Sequence, residues 1–315
     1  MKGVVTLGET MGLFTASDVG ALDRVDDFRF GIGGAESNVA IGVARLGVPA
    51  VWIGRVGADG VGERILRTLR AERVHAHARV DPSAPTGIMI KYRSIGGVSS
   101  VLYHRTGSAG SRLQADDLDA DAIRAAAVLH VTGITPALSA DAAAAVDRAI
   151  DIAIDAGVPV SFDVNHRAAL GGGSAAAIEY QRIAARASLV FGGEEEIRML
   201  GGAPADPLDS ARELSGRLGG ADVVVKLGAN GCVAVIDGAE FIVPAVRVQV
   251  LDTVGAGDAF VAGYLAEMVS GSSPARRLDT ATRAGALACL GPGDWESIPG
   301  RAELALLDAS DPVHR

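Results

Sequence analysis

Short apolar runs rich in valine and isoleucine recur along this chain, separated by longer segments whose apolar residues fall at every third or fourth position. Met1–Gly8 opens as a strand. Ala35–Leu46 carries Val39, Val43 and Leu46 at helical spacing with Gly47 just past its end, which predicts a helix and its stop. Ala50–Val56 predicts a strand and Gly62–Ala71 a helix, with Ile65, Leu66 and Leu69 on one face. Val74 to Arg105 is different. It is rich in Val, Ile, Tyr and Thr, alternates in places, and is broken by Asp81-Pro82 and Gly96-Gly97, the pattern of a small antiparallel meander. Regular alternation then resumes with strand Val128–Val131, helix Ser139–Ala156, strand Val160–Asp163, helix Ala175–Ala187, strand Leu189–Phe191 and helix Glu194–Leu200. Strands Val223–Leu227 and Val233–Ile236 precede helices Ala256–Val269 and Ser273–Leu290.

Buried Val/Ile strands alternating with helices predict an α/β fold: a mostly parallel central sheet with helices on both faces. The expectation is one domain over residues 1–315, with a small β-sheet lid from about 11–33 and 73–105. Open sheets of this kind bind ligands at the carboxyl ends of their strands, so strand-to-helix turns are where chemistry is sought.

The formal net charge of -9 changes the picture in two ways. It argues against nucleic-acid or anionic-membrane partners, and it requires specific basic residues wherever an anion is held. Cys232 and Cys289 are too few and too far apart for a disulfide framework or a zinc cluster, and read as small buried hydrophobes in a reducing compartment. The first residues read as a strand and not a signal peptide, and no stretch is apolar enough to span a bilayer, so a soluble cytoplasmic protein is expected.

Two common phosphate-binding devices are missing. A P-loop needs Gly-Lys before Ser or Thr, and none of the three lysines, Lys2, Lys91 and Lys226, stands in that context. The nearest G-x-G-x-x-G candidate, Gly31 to Glu36, fails at its last position and lies too far from the first strand. What remains is Asp252-Thr253-Val254-Gly255-Ala256-Gly257-Asp258-Ala259-Phe260. Its glycines permit close approach to a ligand, and a helix starting there offers free N–H groups to an anion. Asp258 in that first turn could accept a hydroxyl proton during phosphoryl transfer, for which donors, a base and alignment suffice. A bare helix cap is the alternative.

The longer context decides between them. Asp252 to Asp258 resembles the C-terminal signature of the ribokinase-like (PfkB) sugar kinases, and Gly33-Gly34-Ala35-Glu36-Ser37-Asn38-Val39-Ala40 resembles their N-terminal one, followed by Leu46-Gly47 and Gly54 to Gly62. The resemblance covers nearly the whole chain, lid included. Within the family the chain is most similar to the 2-keto-3-deoxygluconate kinases, on Gly33 to Asn38, Tyr103-His104-Arg105-Thr106-Gly107-Ser108-Ala109 and Asp163-Val164-Asn165-His166-Arg167. The resemblance implies a ribokinase-like fold and transfer of phosphate from ATP to that sugar acid, with Asp258 as base and Gly255, Ala256 and Gly257 as anion hole. It puts Gly34, Asn38, Tyr103, His104, Arg105, Arg167 and Asp294 on the sugar side. It puts Asn165, His166, Arg167, Lys226, Gly228, Asn230, Gly231, Gly255 and Gly257 on the ATP side; His104 and His166 lie inside these motifs and could simply be neighbours. Mg²⁺ is the implied cofactor, with a monovalent cation as a further candidate, and a homo-oligomer built through exposed lid edges is expected.

The residues support an acidic substrate on their own. Arg105 ends a predicted lid strand and Arg167 follows a central one, and a guanidinium suits a carboxylate or a phosphate; either could instead pair with a structural carboxylate. Lys226 ends a buried strand and either snorkels to solvent or meets the nucleotide phosphates. Glu196 matches the Glu of the family's Asn-x-x-Glu metal motif, but Gly193 stands where Asn or Ser is expected. Met89 stands where similar kinases often have Tyr. His75 and His77 alternate along a supposed lid strand with no third ligand, and read as packing. The rivals are a kinase for another small sugar, such as a fructokinase or 2-keto-3-deoxygalactonate kinase, and a non-catalytic sugar or nucleotide sensor. The failed glycine fingerprint disfavours a dinucleotide-dependent oxidoreductase.

Overall fold

In the computed structural model, residues 2–94, 99–201 and 206–308 are described. The strands are β1 (Val4–Leu7), β2 (Met11–Val19), β3 (Phe28–Gly33), β4 (Ala50–Gly57), β5 (Val74–Asp81), β6 (Ile88–Arg93), β7 (Ser99–His104), β8 (Val128–Thr132), β9 (Val160–Asp163), β10 (Leu189–Gly193), β11 (Asp222–Lys226), β12 (Cys232–Ile236) and β13 (Ala239–Val243). The helices are α1 (Ala35–Arg45), α2 (Gly60–Ala71), α3 (Ala120–Ala125), α4 (Ala140–Asp155), α5 (Ser174–Ala184), α6 (Glu194–Met199), α7 (Pro207–Arg217), α8 (Ala256–Val269) and α9 (Pro274–Ala288).

The main sheet runs β13-β12-β11-β10-β9-β8-β1-β4-β5. It is parallel from β11 to β5, and β12 and β13 are antiparallel additions at one edge. Its strands are apolar on both faces because both are covered. Val223 and Val225 pack with α3 to α7, while Val224 between them packs with α1, α2, α8 and α9. Helix starts follow from local chemistry: the side chains of Asp59, Ser139 and Ser273 each accept from an amide in the first turn, and Pro274 follows Ser273.

The second sheet, β3-β2-β6-β7, is small and holds strands from both stretches expected to form a lid. One part of the expected lid belongs elsewhere. Val74–Asp81 pairs in parallel with β4, from Ala50↔Val74 to Gly57↔Asp81, and forms the far edge of the main sheet. Its alternating polarity arises because an edge strand is half solvated, which imitates a lid strand. His75 and His77 are therefore on the main sheet, and His77 faces Asp119 at 3.3 Å. Gly96-Gly97 lies outside the described residues. Among the described residues, no helix is long and apolar enough to cross a membrane.

Candidate active site

The carboxyl ends of the parallel strands and the start of α8 converge under the lid. Gly255 caps α8 in the left-handed conformation, φ +77°, and a Cβ there would lie 1.8 Å from the carbonyl oxygen of Asp294. Only glycine permits both the turn and the contact. The loop therefore stands directly against the 293–294 backbone.

Asp258 follows in the first helical turn and is buried. Asn38 of α1 donates from Nδ2 to Asp258 Oδ2 at 2.8 Å and to Asp294 Oδ2 at 3.3 Å, and Asn165 Nδ2 reaches Asp258 Oδ1 at 3.4 Å. Asn165 holds φ +42°, a backbone position that asparagine tolerates better than most residues. Burial pushes the Asp258 carboxyl up to about 7; the Asn38 hydrogen bond and the Arg167 charge oppose this, and the charges of Asp294 and Asp163 reinforce it. Asp294 is likewise raised, first by burial.

The three amides expected to hold an anion are not equivalent in the structure. Among the described residues the amides of Gly255, Gly257 and Asp258 have no acceptor, whereas Ala256 N donates to Thr253 O at 3.3 Å. The Asp258 amide was not anticipated. It is available to a ligand because the first turn of any helix leaves its N–H groups unpaired.

Lys226 ends β11 and donates to both oxygens of Asp163, each at 2.8 Å. Asp163 ends β9, two strands away, roughly 10 Å across the sheet. The lysine bridges that distance over β10, where its cross-strand neighbour is Gly193 and no side chain stands in the way. Burial works against the Lys226 charge, but Asp163, Glu196 and Asp258 outweigh it and raise the ammonium's pKa. A Cβ on Gly257 would lie 3.6 Å from Lys226 Nζ, so the ammonium stands beside the loop.

Two cavities meet at Lys226. One, of about 690 Å³, is largely apolar: Gly228, Gly231 and Gly257 line it with Phe260, Gly285 and Ala286. Ala245 to Val248, Val250 and Cys289 line it as well. Cys289 is thus half-buried and lines a pocket, unlike the core position expected of it. The other cavity, of about 740 Å³, is polar and carries His166, Asn230 and Glu194 to Glu196.

Glu196 Oε1 accepts from His166 N at 2.7 Å and Oε2 from Gly193 N at 2.6 Å. The carboxylate thus orders two turns through their backbone, a role that Gly193 fills without a side chain. Among the described residues no three acidic, histidine or cysteine side chains cluster closely enough to cage a metal. The donor set fits a largely hydrated Mg²⁺ on substrate phosphates, which needs only one or two carboxylates.

The lid face of the site holds Met89 and Tyr103, paired across β6 and β7. Met89 is buried, and a Cβ on Gly33 would meet both its methyl group and Asp294 Oδ2. Tyr103 is exposed beside Arg105, whose guanidinium lies 5.8 Å from its ring. His104 alternates to the opposite face of β7 and is exposed, so it is not brought to the site. Gly34 caps α1 against the main chain of Glu9 and Thr10.

The two arginines are not equivalent. Arg105 is paired: Nε donates to Glu9 Oε2 at 2.7 Å and Nη2 lies 2.5 Å from the same oxygen, while Ser108 holds the other. Arg167 is exposed, acts electrostatically on Asp258 and Asp294, and has no hydrogen bond or ion pair among the described residues. Asp163, Glu9 and the 245–250 stretch are site features that sequence reasoning missed. Asp163 lay inside a quoted motif, and Val246-Arg247-Val248-Gln249-Val250 alternates like a strand although the structure forms none there, so its pattern gave no sign of a pocket lining.

Residues 1–301 match the pfkB family of carbohydrate kinases. The chain is 35% identical to a 2-dehydro-3-deoxygluconokinase of Bacillus subtilis (strain 168), covering 99% of this chain and 97% of the relative. It is 37% identical to a 2-dehydro-3-deoxygluconokinase of Thermoproteus tenax, covering 96% and 93%. Among solved structures it resembles an E. coli protein assigned as ribokinase II, in complex with ATP and Mg²⁺, with a TM-score of 0.90, 25% identity and coverage of 98% and 99%.

Proposed function

The chain belongs to the pfkB family of carbohydrate kinases, and from that premise we propose that it transfers the γ-phosphate of ATP to the 6-hydroxyl of 2-keto-3-deoxygluconate, the sugar acid also called 2-dehydro-3-deoxygluconate. The observation that carries this reading is Asp258, a buried carboxylate held by Asn38 beside three amides that have no acceptor among the described residues; burial pushes its carboxyl up to about 7. A general base works best when its pKa lies near the working pH.

In this mechanism an Asp258 carboxylate oxygen takes the hydroxyl proton as the sugar oxygen attacks the γ-phosphorus. The phosphorus–oxygen bond to ADP breaks in line with the attack. The amides of Gly255, Gly257 and Asp258 donate to the charge that develops on the transferring group, assisted by Lys226. Asn38 and Asn165 hold the base in place. Adenine would occupy the apolar cavity against Phe260 and Gly285. Glu196 would hold Mg²⁺ through water, and the ion would supply charge neutralisation at the phosphates. Lid closure would exclude water and suppress wasteful hydrolysis of ATP.

Arg167 is the cation free to meet the sugar carboxylate. Arg105 supports the same end of the site, with its charge already shared with Glu9. A coupled ADP-release assay over 2-keto-3-deoxygluconate, 2-keto-3-deoxygalactonate, fructose, ribose and gluconate tests the substrate. Turnover confined to the keto-deoxy acids is expected, and a preference for fructose or ribose would remove the acid clamp. Arg167→Ala should raise KM for the acid by roughly 10- to 100-fold, the worth of a charge-assisted hydrogen bond. If KM for ATP rises instead, Arg167 serves phosphate. The reading includes a dimer through the lid, whose edge strands β3 and β7 expose Phe28, Leu102 and Tyr103. Light scattering that finds only monomer would remove that part.

A further inference from the structure

Two of the chain's three lysines, Lys91 buried and Lys226 partly so, pair with aspartates beside the anion loop. Lys226 comes from the main sheet; Lys91 comes from the lid. Lys91 lies on β6, two residues beyond Met89 and so on the same face, and its side chain is only 5% exposed. Its Nζ donates to Asp252 Oδ2 and, at 3.1 Å, to the carbonyl oxygen of Gly293. No other partner of this ammonium is found among the described residues.

Both acceptors bear on the loop's shape. Asp252 opens the segment: its second oxygen accepts from Val254 N at 3.2 Å, the side-chain turn that leads into Gly255. Gly293 immediately precedes Asp294, whose carbonyl is pressed against Gly255 and whose carboxylate shares Asn38 with Asp258. A single ammonium from a separate sheet thus joins the two backbone segments that meet at the anion hole.

We propose that Lys91 is a positioning residue: its ammonium is the internal cation that sets the Gly255–Asp258 loop and couples it to the seating of the lid. A buried ion pair contributes little net stability, but removing one partner leaves the other buried and uncompensated. Here the partner left behind is Asp252, at the root of the catalytic loop, so the disturbance falls on the loop itself. Lysine suits the place because a compact ammonium fits between a carboxylate and a carbonyl where a planar guanidinium does not. An oxygen-lined seat of this kind also accepts a small free cation. Truncating the lysine should therefore create a cation requirement that the intact protein lacks.

The kinetic part of this inference rests on the phosphoryl-transfer reading; the structural part does not. Lys91→Ala is compared with the intact protein in buffer free of alkali and ammonium ions, with tetramethylammonium chloride holding ionic strength. Turnover of the intact protein should be indifferent to added ammonium or potassium. In Lys91→Ala kcat should fall by roughly 10²-fold, the scale of a small misplacement of catalytic groups, with KM for ATP little changed. Ammonium or methylammonium should restore most of the loss. Amide hydrogen exchange over residues 253–258 should quicken in the variant and slow again on adding ammonium. Should Lys91→Ala not fold, the double variant Lys91→Met with Asp252→Asn removes both charges and is read by the same exchange measurement. An intact protein that needs potassium, a kcat loss that no small cation relieves, or unaltered exchange at 253–258 would each overturn the proposal. If the intact protein phosphorylates no sugar, the functional reading fails, and the exchange contrast still decides the role of Lys91.

Discussion

Replacing Asp258 by Asn should lower kcat by about 10²–10⁴-fold, the range lost with a general base, while leaving the fold and ATP binding intact. The substitution is nearly isosteric. Asn38 can still donate to the retained side-chain oxygen, so the geometry of the first α8 turn survives. What disappears is the proton acceptor. Retained turnover would remove Asp258 from its role.

The same residue sets two pH dependences. With the carboxyl pushed up to about 7 by burial, kcat/KM should rise with pH and level off above about 7, because only the ionised form accepts a proton. Stability should move the other way. In the unfolded chain this carboxyl titrates near 3.9. Between about pH 4 and 7 the folded protein therefore holds a proton that the unfolded chain has already released, and this group's contribution declines as pH rises across that window. Asp258→Asn carries no such loss. Its melting temperature should exceed that of the parent by a few degrees at pH 8, in keeping with about 2–4 °C per kcal/mol for chains of this order, and match it near pH 4. Equal differences at both pH values would mean that Asp258 is ionised freely in the fold.

Gly255→Ala should be as damaging to turnover and, unlike Asp258→Asn, should also cost stability. A non-glycine residue at φ +77° carries a penalty of about 1–2 kcal/mol. The added Cβ would lie 1.8 Å from the Asp294 carbonyl, and backbone, unlike the end of a side chain, cannot swing aside. The loop must shift, and the amides of Gly255, Gly257 and Asp258 shift with it. Losing one oxyanion donor costs roughly 10²–10³-fold in kcat, and this displacement touches three. Gly257→Ala is the control. Its Cβ would meet only Lys226 Nζ, at 3.6 Å, so the turn should survive and any effect should appear in KM for ATP, because Gly257 lines the apolar cavity. Near-normal kcat in Gly255→Ala would show that the loop is not held in the form described.

How much of this was legible beforehand depended on how local each feature is. Helix α8 was read with its observed bounds, Ala256–Val269, because the Gly-x-Gly turn and the apolar run that follow it are local signals. Strand β9 was read correctly for the same reason, four buried residues between turn formers. β5 was misassigned to the lid because alternation reports only that one face is wet. A lid strand and the edge of a large sheet share that property, and only the partner, β4, distinguishes them. Helix α7 and strand β13 were passed over, their patterns being short or mostly polar.

The site divides in the same way. The sequence alone determined the glycine loop that opens α8, the aspartate in its first turn, the absence of a P-loop, and the family resemblance that joined Asn38 to Asp258 in one candidate site. These depend on residue types within one turn of backbone, where spacing dictates geometry. Tertiary structure alone decided which charges are already spent. Arg105 meets Glu9 across 96 residues, Lys226 meets Asp163 across 63, and Lys91 meets Asp252 across 161. Among the described residues Arg167 is left without such a partner. Nothing local distinguishes a guanidinium waiting for substrate from one already bound to a carboxylate, because the partner is chosen by how the sheets stack. The raised pKa of Asp258 has the same origin: it comes from burial, reinforced by the charges of Asp294 and Asp163, which the fold brings in from distant parts of the chain.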